Sequence, residues 1–468
     1  MNVRLPKGVY YLNLIQIFAT TGIGVLLGTL NAYLQQVGYS TLAANGITSS
    51  VLALNFVLHF LGGVIGGRWI SYRQLFAYSL TLQAVGLLGL ALPHWLSPLW
   101  ALAIFITGSG FNVSCLTIML TQLFAAEDDG RRRAFSQNYA CMNIGFLITF
   151  VIANKLQLHQ SYLLLFALAF FSLLVALAIH LSAYRLLIGN PLKRPRPFIV
   201  VGSLMVIVVL ISQLLAHPHL AHTLVYLGFI ASLITVWRIA KCHEGKARGQ
   251  CYAYIVLISA AFVYALILGL SGTAVANFVL YNTQGHFLGL PLSTAGVNLF
   301  DPLAVVLFGF WLNRTLQKRE AKGLTPWSAP RFIASAMSLN ILAFLMLPLG
   351  ILLQGSHGYV SLGFPILFFI IAAGAEIGVN SVCYALAGQL VPPRYQGIFM
   401  GYLFMNVALG VSLAGPLANI MAAGAHQPLL TDGHYAKVFV ALAVFAAGAT
   451  LFYAKVSPWF QRMQDGIS

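Results

Sequence analysis

Apolar residues run through this chain in long blocks, and polar residues gather in the short gaps between them. Fourteen apolar segments can be marked, at approximately 9–36, 47–67, 73–93, 97–124, 134–154, 161–184, 197–215, 221–240, 251–280, 292–313, 331–354, 359–388, 394–421 and 435–457. A helix crossing a bilayer needs about 20 mostly apolar residues. Helices are expected because every backbone N–H and C=O must find an internal partner where no water reaches. Several segments exceed the minimum, which predicts tilt or extension beyond the bilayer.

The polar gaps test the count. Gaps after the second, fourth, sixth, eighth, tenth and twelfth segments carry Arg68 and Arg73, Arg131 to Arg133, Lys193, Arg194 and Arg196, Arg238, Lys241, Lys246 and Arg248, Arg314, Lys318, Arg319 and Lys322, and Arg394. The intervening gaps carry only Lys155 and Lys437. Basic residues favour the cytoplasmic side, so both termini are expected in the cytoplasm of an inner-membrane protein. The alternation survives only if the seventh and eighth segments are counted. Basic linkers flank this pair, which reads as a helical hairpin inserted between two six-helix bundles and belonging to neither. The expected division is 1–190, 191–248 and 249–468. The apolar stretch after MNVRLPK reads as a retained first helix, with a cleaved signal peptide as the alternative.

Composition agrees with a lipid setting. Of 468 residues 59% are hydrophobic and 7% charged, against roughly 25% charged in soluble chains. The net charge of +16 lies in short clusters between apolar runs, which does not fit nucleic-acid binding. Five cysteines form no CxxC pair, so neither a disulfide framework nor a zinc site is expected. No cofactor or metal is expected either. Gly62, Gly63, Gly66 and Gly67 lack the strand and the GK[ST] of a phosphate cradle and read as close helix packing. The histidines of LLAHPHLAHTL read as a solvated turn. EDDGRRR reads most simply as a cytoplasmic loop, with salt bridges that latch one face as the alternative.

Three motifs bring a family into view. Phe135, Tyr139, Asn143 and Gly145 follow an FxxxYxxxNxG pattern. Glu376, in AEIGVNS, precedes the QLVPPRYQG loop, and Asp301 stands in NLFDPL. Together these resemble the proton-dependent oligopeptide transporter family of the major facilitator superfamily, whose bacterial members also insert a helix pair. The resemblance implies an all-α major facilitator fold of 14 transmembrane helices and a proton-coupled importer of di- and tripeptides or related compounds. It also implies that Glu376 receives a peptide's amino terminus and that Asp301 replaces the asparagine of the family's LNPL stretch. The departures are equally specific. The family's ExxER motif is replaced by Asn13, Gln16, Ile17 and Phe18. Its fourth-helix lysine falls near Asn112, and its acid after the second helix is missing beside Arg68.

Asp301 and Glu376 are the only two of nine acidic residues well inside the segments. A carboxylate in hydrocarbon is costly and marks a cavity or a partner. Burial without a cation favours the protonated form, so either acid is a candidate proton carrier. A site with acids but no bases favours amine-bearing or cationic substrates. The competing reading of Asp301 is that it caps a helix break at Pro302. Tyr139 and Asn143, four apart, share a helical face and can hydrogen-bond substrate or glue helices. Asn13 and Gln16 supply neutral contacts from the first segment; Asn277 and Asn380 are further candidates. The leading function is a proton-coupled symporter of peptides or peptide-like compounds. Its alternative is a proton-antiport exporter of cationic metabolites, drugs or siderophore-like compounds. A membrane enzyme would want a catalytic cluster at a membrane face, and none is found, so no enzymatic activity is expected.

Overall fold

The computed structural model describes residues 5–124, 129–187, 196–322, 328–356, 358–423 and 426–465. The chain begins with α1 (Lys7–Gln36), α2 (Thr41–Ile65), α3 (Tyr72–Ala91), α4 (Pro98–Gln122), α5 (Asp129–Leu158) and α6 (Tyr162–Ser182). A hairpin of α7 (Pro197–Ala216) and α8 (Pro218–Lys241) follows. The ninth segment is broken into α9 (Gly245–Ile258), α10 (Ala260–Gly272) and α11 (Ala274–Tyr281), and the tenth into α12 (Thr294–Asn298) and α13 (Phe300–Ala321). Then come α14 (Ala329–Leu352), α15 (Gly363–Leu390), α16 (Gln396–Ala422) and α17 (Pro428–Asp465). These elements account for all fourteen apolar segments. Between α11 and α12, β1 (His286–Phe287) and β2 (Leu290–Pro291) pair antiparallel. Leu288 and Gly289 turn that hairpin with φ of 51° and 79°, the left-handed pair a tight hairpin requires.

Local chemistry sets the ends and breaks. Ser40, Ser71 and Ser293 each cap the following helix, accepting from the amides of Ala43, Gln74 and Gly296. At the breaks, hydroxyls occupy carbonyls that the helix releases. Thr273 Oγ1 donates to Gly269 O at 2.8 Å, and Ser259 Oγ donates to Val256 O at 2.6 Å. This is how an interrupted helix is tolerated at membrane depth.

Two apolar cores form. One gathers mainly side chains from α1 to α7, joined by Ala221 of α8 and Ala295 of α12; the other gathers mainly those from α8 to α17, joined by Leu52 and Ala53 of α2. Lipid tails are as apolar as leucine, so close packing and polar contacts must hold such helices together. Small residues permit it. A Cβ on Gly86 would lie 2.6 Å from the Phe105 backbone N, and one on Gly145 would lie 2.6 Å from Ile17 O. Gly145 therefore brings α5 against α1. Gly62 packs as expected, against Phe111 and Ser114 of α4. Gly66 and Gly67 depart from that reading. They lie past the end of α2 in a turn closed by the Gly67 N to Ile70 O bond at 2.8 Å, under the Tyr72 ring.

The inserted hairpin is divided between the two cores. Val200, Leu204, Ile211 and Leu215 of α7 join the first, while Val225, Val236 and Ala240 of α8 join the second. His222 departs from the solvated-turn reading: it is buried, with Nε2 3.1 Å from both Ser49 Oγ and Ser50 Oγ of α2. His217 and His219 are exposed as expected. Of the EDDGRRR loop, Glu127 and Asp128 lie outside the described residues, and so does the gate-latch reading that rests on them.

Candidate functional site

The site lies where the two bundles face each other. Glu376 is near the centre of α15 and half-buried. Tyr139, on α5 of the other bundle, donates its hydroxyl to Glu376 Oε1 at 3.2 Å. That is long for a bond from hydroxyl to carboxylate, and the Tyr139 side chain is 36% exposed. A competing donor therefore has room to approach. Asp301 sits in the first turn of α13, just after the break at Leu299. The helix break read from Pro302 is thus present, and Asp301 has a second relationship besides it. Its carboxyl lies near enough to Glu376 for their charges to interact, and both are felt at Tyr139. Ala304 and Val305, one turn after Asp301, pack on Ala373, one turn before Glu376, and on its neighbour Ile377, and hold α13 and α15 together.

Among the described residues of α5, α13 and α15, no Lys or Arg lies within three turns of Tyr139, Asp301 or Glu376 apart from Arg131 and Arg133 at the start of α5. α15 contains no Lys or Arg, and the first base in α13 is Arg314. α5 has none between Arg133 and Lys155. Glu376 thus meets an aromatic hydroxyl across the interface, with Asp301 on the helix packed against its own.

Asn143 is buried on α5 one turn from Tyr139, and its Nδ2 donates to Tyr139 O at 3.0 Å. Asn13 is buried on α1, accepting from Asn138 Nδ2 of α5 at 3.2 Å. Gln16 bonds along its own helix, with Nε2 3.0 Å from Thr20 Oγ1. These contacts tie α1 to α5 and orient their inner faces. Asn380 follows Glu376 by one turn on α15, and its side chain lies outside the described residues.

Asn277 does not join the acids. It belongs to a buried amide network that no local pattern in the chain announces. Asn45 Oδ1 on α2 accepts from Asn31 Nδ2 of α1 at 2.8 Å and from Asn277 Nδ2 of α11 at 2.7 Å. Asn45 Nδ2 donates to Asn419 Oδ1 of α16 at 2.9 Å. Gln35 Nε2 donates to Asn31 Oδ1 at 2.6 Å and to Asn277 Oδ1 at 3.0 Å. Gln35 Oε1 accepts from Thr41 Oγ1 at 2.9 Å and from Tyr281 OH at 2.7 Å. A second set joins α5 to α12: Gln157 Nε2 donates to Thr294 Oγ1 at 2.7 Å, and Asn154 Oδ1 accepts from Ser293 N at 2.8 Å. Every member of both sets is neutral. They close the bundles together at the face opposite the basic gaps.

The comparisons agree on the family. Residues 30–428 match the POT family. Dipeptide and tripeptide permease A of Erwinia pyrifoliae is 23% identical over 476 residues, spanning 98% of this chain and 95% of that one. Dipeptide and tripeptide permease B of Photorhabdus luminescens is 22% identical over 484 residues, spanning 99% and 98%. Among solved structures, a peptide transporter POT in complex with sulfate superposes with a TM-score of 0.84 at 20% identity, over 99% of this chain and 96% of that one. A POT family transporter in complex with 5-aminolevulinic acid gives 0.84 at 19% identity over 98% of both chains. The fold is therefore that of these transporters, fourteen helices with an inserted pair, and the protein is a carrier rather than an enzyme. With the family pattern covering most of its length, this chain is an integral membrane protein that belongs to the POT family of transporters.

Proposed function

We propose that this protein is a proton-coupled secondary transporter that moves short peptides or peptide-like, amine-bearing compounds by alternating access. The observation that carries this is Glu376 bonded by Tyr139 across the bundle interface, with a second acid, Asp301, on the helix packed beside it and no Lys or Arg in α15. The names of the relatives support peptides as the substrate class.

In this reading one proton neutralises part of the acid pair, because two adjacent carboxyls in a low-dielectric setting do not both ionise readily. A substrate ammonium then displaces the Tyr139 hydroxyl from Glu376 and takes up the remaining negative charge. Asn13, Gln16 and Asn143 supply neutral hydrogen-bonding groups from α1 and α5, Asn380 is a further candidate on α15, and Asn277 works at the closed face. A peptide carboxylate finds no fixed base to pair with. Amines and peptides with a masked carboxyl end should therefore bind better than plain zwitterions.

The basic gaps are assigned to the cytoplasm of the inner membrane, with both termini there, so the closed amide face points outward. Residues 1–190 and 249–468 are the two moving halves. The hairpin within 191–248, anchored in both cores, spans their junction. Antiport export of cationic compounds is the second reading, favoured by the same absence of a base.

Uptake into proteoliposomes under an imposed proton gradient tests the proposal. The compounds are dipeptides, carboxyl-amidated dipeptides and polyamines, assayed with Glu376→Gln and Asp301→Asn. Accumulation of amine-bearing compounds should be gradient-driven and should be lost in Glu376→Gln. If the double variant accumulates substrate with full gradient dependence, the acids do not carry the proton. The gradient polarity that drives accumulation separates symport from antiport.

A further inference from the structure

A cavity of about 600 Å³ opens on the closed face, outside the amide network and away from the acid pair. Its volume is in the range of small-molecule sites. Gln35, Gln36, Gln157, Gln160, Tyr281 and His286 are among its walls, and among the described residues no Asp, Glu, Lys or Arg lines it. Two of these glutamines are the ones that close the bundles. Gln35 makes four hydrogen bonds, reaching Asn277 and Tyr281 of the second bundle. Gln157 donates to Thr294 Oγ1 and accepts from Ala295 N at 3.2 Å. Both keystones of the closed face thus present themselves to one vestibule.

We propose that this vestibule is a separate binding site for neutral amide groups, such as the peptide bonds of a short peptide. A solute bound there competes for Gln35 and Gln157 and so opens the closed face. The chemistry follows from the lining. A carboxamide is satisfied equally well by another amide, which donates and accepts in the same geometry. Charged ends gain nothing from walls without charge. Exchanging one set of amide bonds for another leaves few buried groups unpaired, so opening in the presence of such a solute avoids the main cost of breaking the network. The inference rests on alternating access as proposed above, but it assigns the first contact to amide groups at a place other than the acids.

Thr48 supplies a reporter. It is buried one turn below Asn45, beside Gly272 at the bundle interface, and its hydroxyl has no hydrogen-bond partner among the described residues. A Thr48→Cys protein, with Cys141 and Cys242 changed to serine, should react with a soluble maleimide only when this face opens. Thr29→Cys, buried on α1, is a second reporter should the first not fold. The probe is N-acetyl-dialanine amide, which has peptide bonds but no charged ends. Millimolar probe should speed labelling about tenfold. In Gln35→Glu, which keeps the shape and both accepting bonds but loses the two donors, labelling should be fast without probe and insensitive to it. The probe effect should persist in Glu376→Gln. No acceleration by the probe, or equal acceleration in Gln35→Glu, overturns the vestibule. Loss of the effect in Glu376→Gln alone places the probe at the acids and also overturns it, leaving the transport reading intact. A probe response in a protein that transports no peptide or amine has the opposite meaning: the vestibule stands and the transport reading falls.

Discussion

Replacing Asn45 by alanine isolates the contribution of the amide network to closure. Asn45 is fully buried and makes three hydrogen bonds, of which those to Asn277 and Asn419 cross from one bundle to the other. Each is worth about 1 kcal/mol net. In the closed form the variant leaves the Asn277 donor and the Asn419 acceptor without partners. In the open form water serves them. Losing two crossing bonds should therefore favour opening by about 2 kcal/mol, about a 30-fold change in the ratio of open to closed. The bond to Asn31 lies within one bundle and does not alter this difference. Spin labels at Val37 and Leu288, both exposed at the closed face, would report the change as a longer-distance population in pulsed electron resonance. A folded Asn45→Ala protein with an unchanged distance distribution would refute the reasoning. Closure would then rest on packing at the α2 and α16 crossing, where Gly415 meets Ser49.

Further outcomes follow from individual contacts. Tyr139→Phe removes a long, partly exposed bond to Glu376. It should cost about 1 kcal/mol, raising substrate affinity or lowering it by no more than about fivefold, read by calorimetric titration with an amidated dipeptide. Gly86→Ala places a methyl against the Phe105 backbone and should cost about 1–3 kcal/mol. A lowered thermal midpoint in detergent would show it, with Gly202→Ala, which meets nothing within 4 Å, left unchanged. His222→Leu removes the contacts with Ser49 and Ser50, so hydrogen exchange should rise in the first turns of α8 and not in α3.

The two halves of the site differ in how far they can be read from the chain. Glu376 and Asp301 stand out because acids are so scarce within apolar segments, and a lone carboxyl there needs a reason. Tyr139 and Asn143 stand out through their spacing with Gly145, whose own role is steric, at the α1 contact. The closed face has no such signature. Asn31, Gln35, Asn45, Asn277 and Asn419 are single amides on four helices, and the partners Asn45 and Asn419 are 374 positions apart. An asparagine in a membrane helix bonds to its own backbone as readily as to another helix, as Asn143 and Asn406 do. Nothing in the local pattern distinguishes the two uses.

The sequence by itself determined the fourteen spans, the alternation of basic gaps and the presence of two intramembrane acids. The reason is local: a backbone without water must form helices, and the length of an apolar run decides whether it can cross. Only the tertiary structure decided that the hairpin divides between both cores, that His222 is buried on α2, and that amides and hydroxyls from distant helices meet to close one face. Those outcomes depend on which helix faces meet. In lipid that choice is made by small residues and matched polar groups brought together from distant parts of the chain, a complementarity that exists only once the helices have packed.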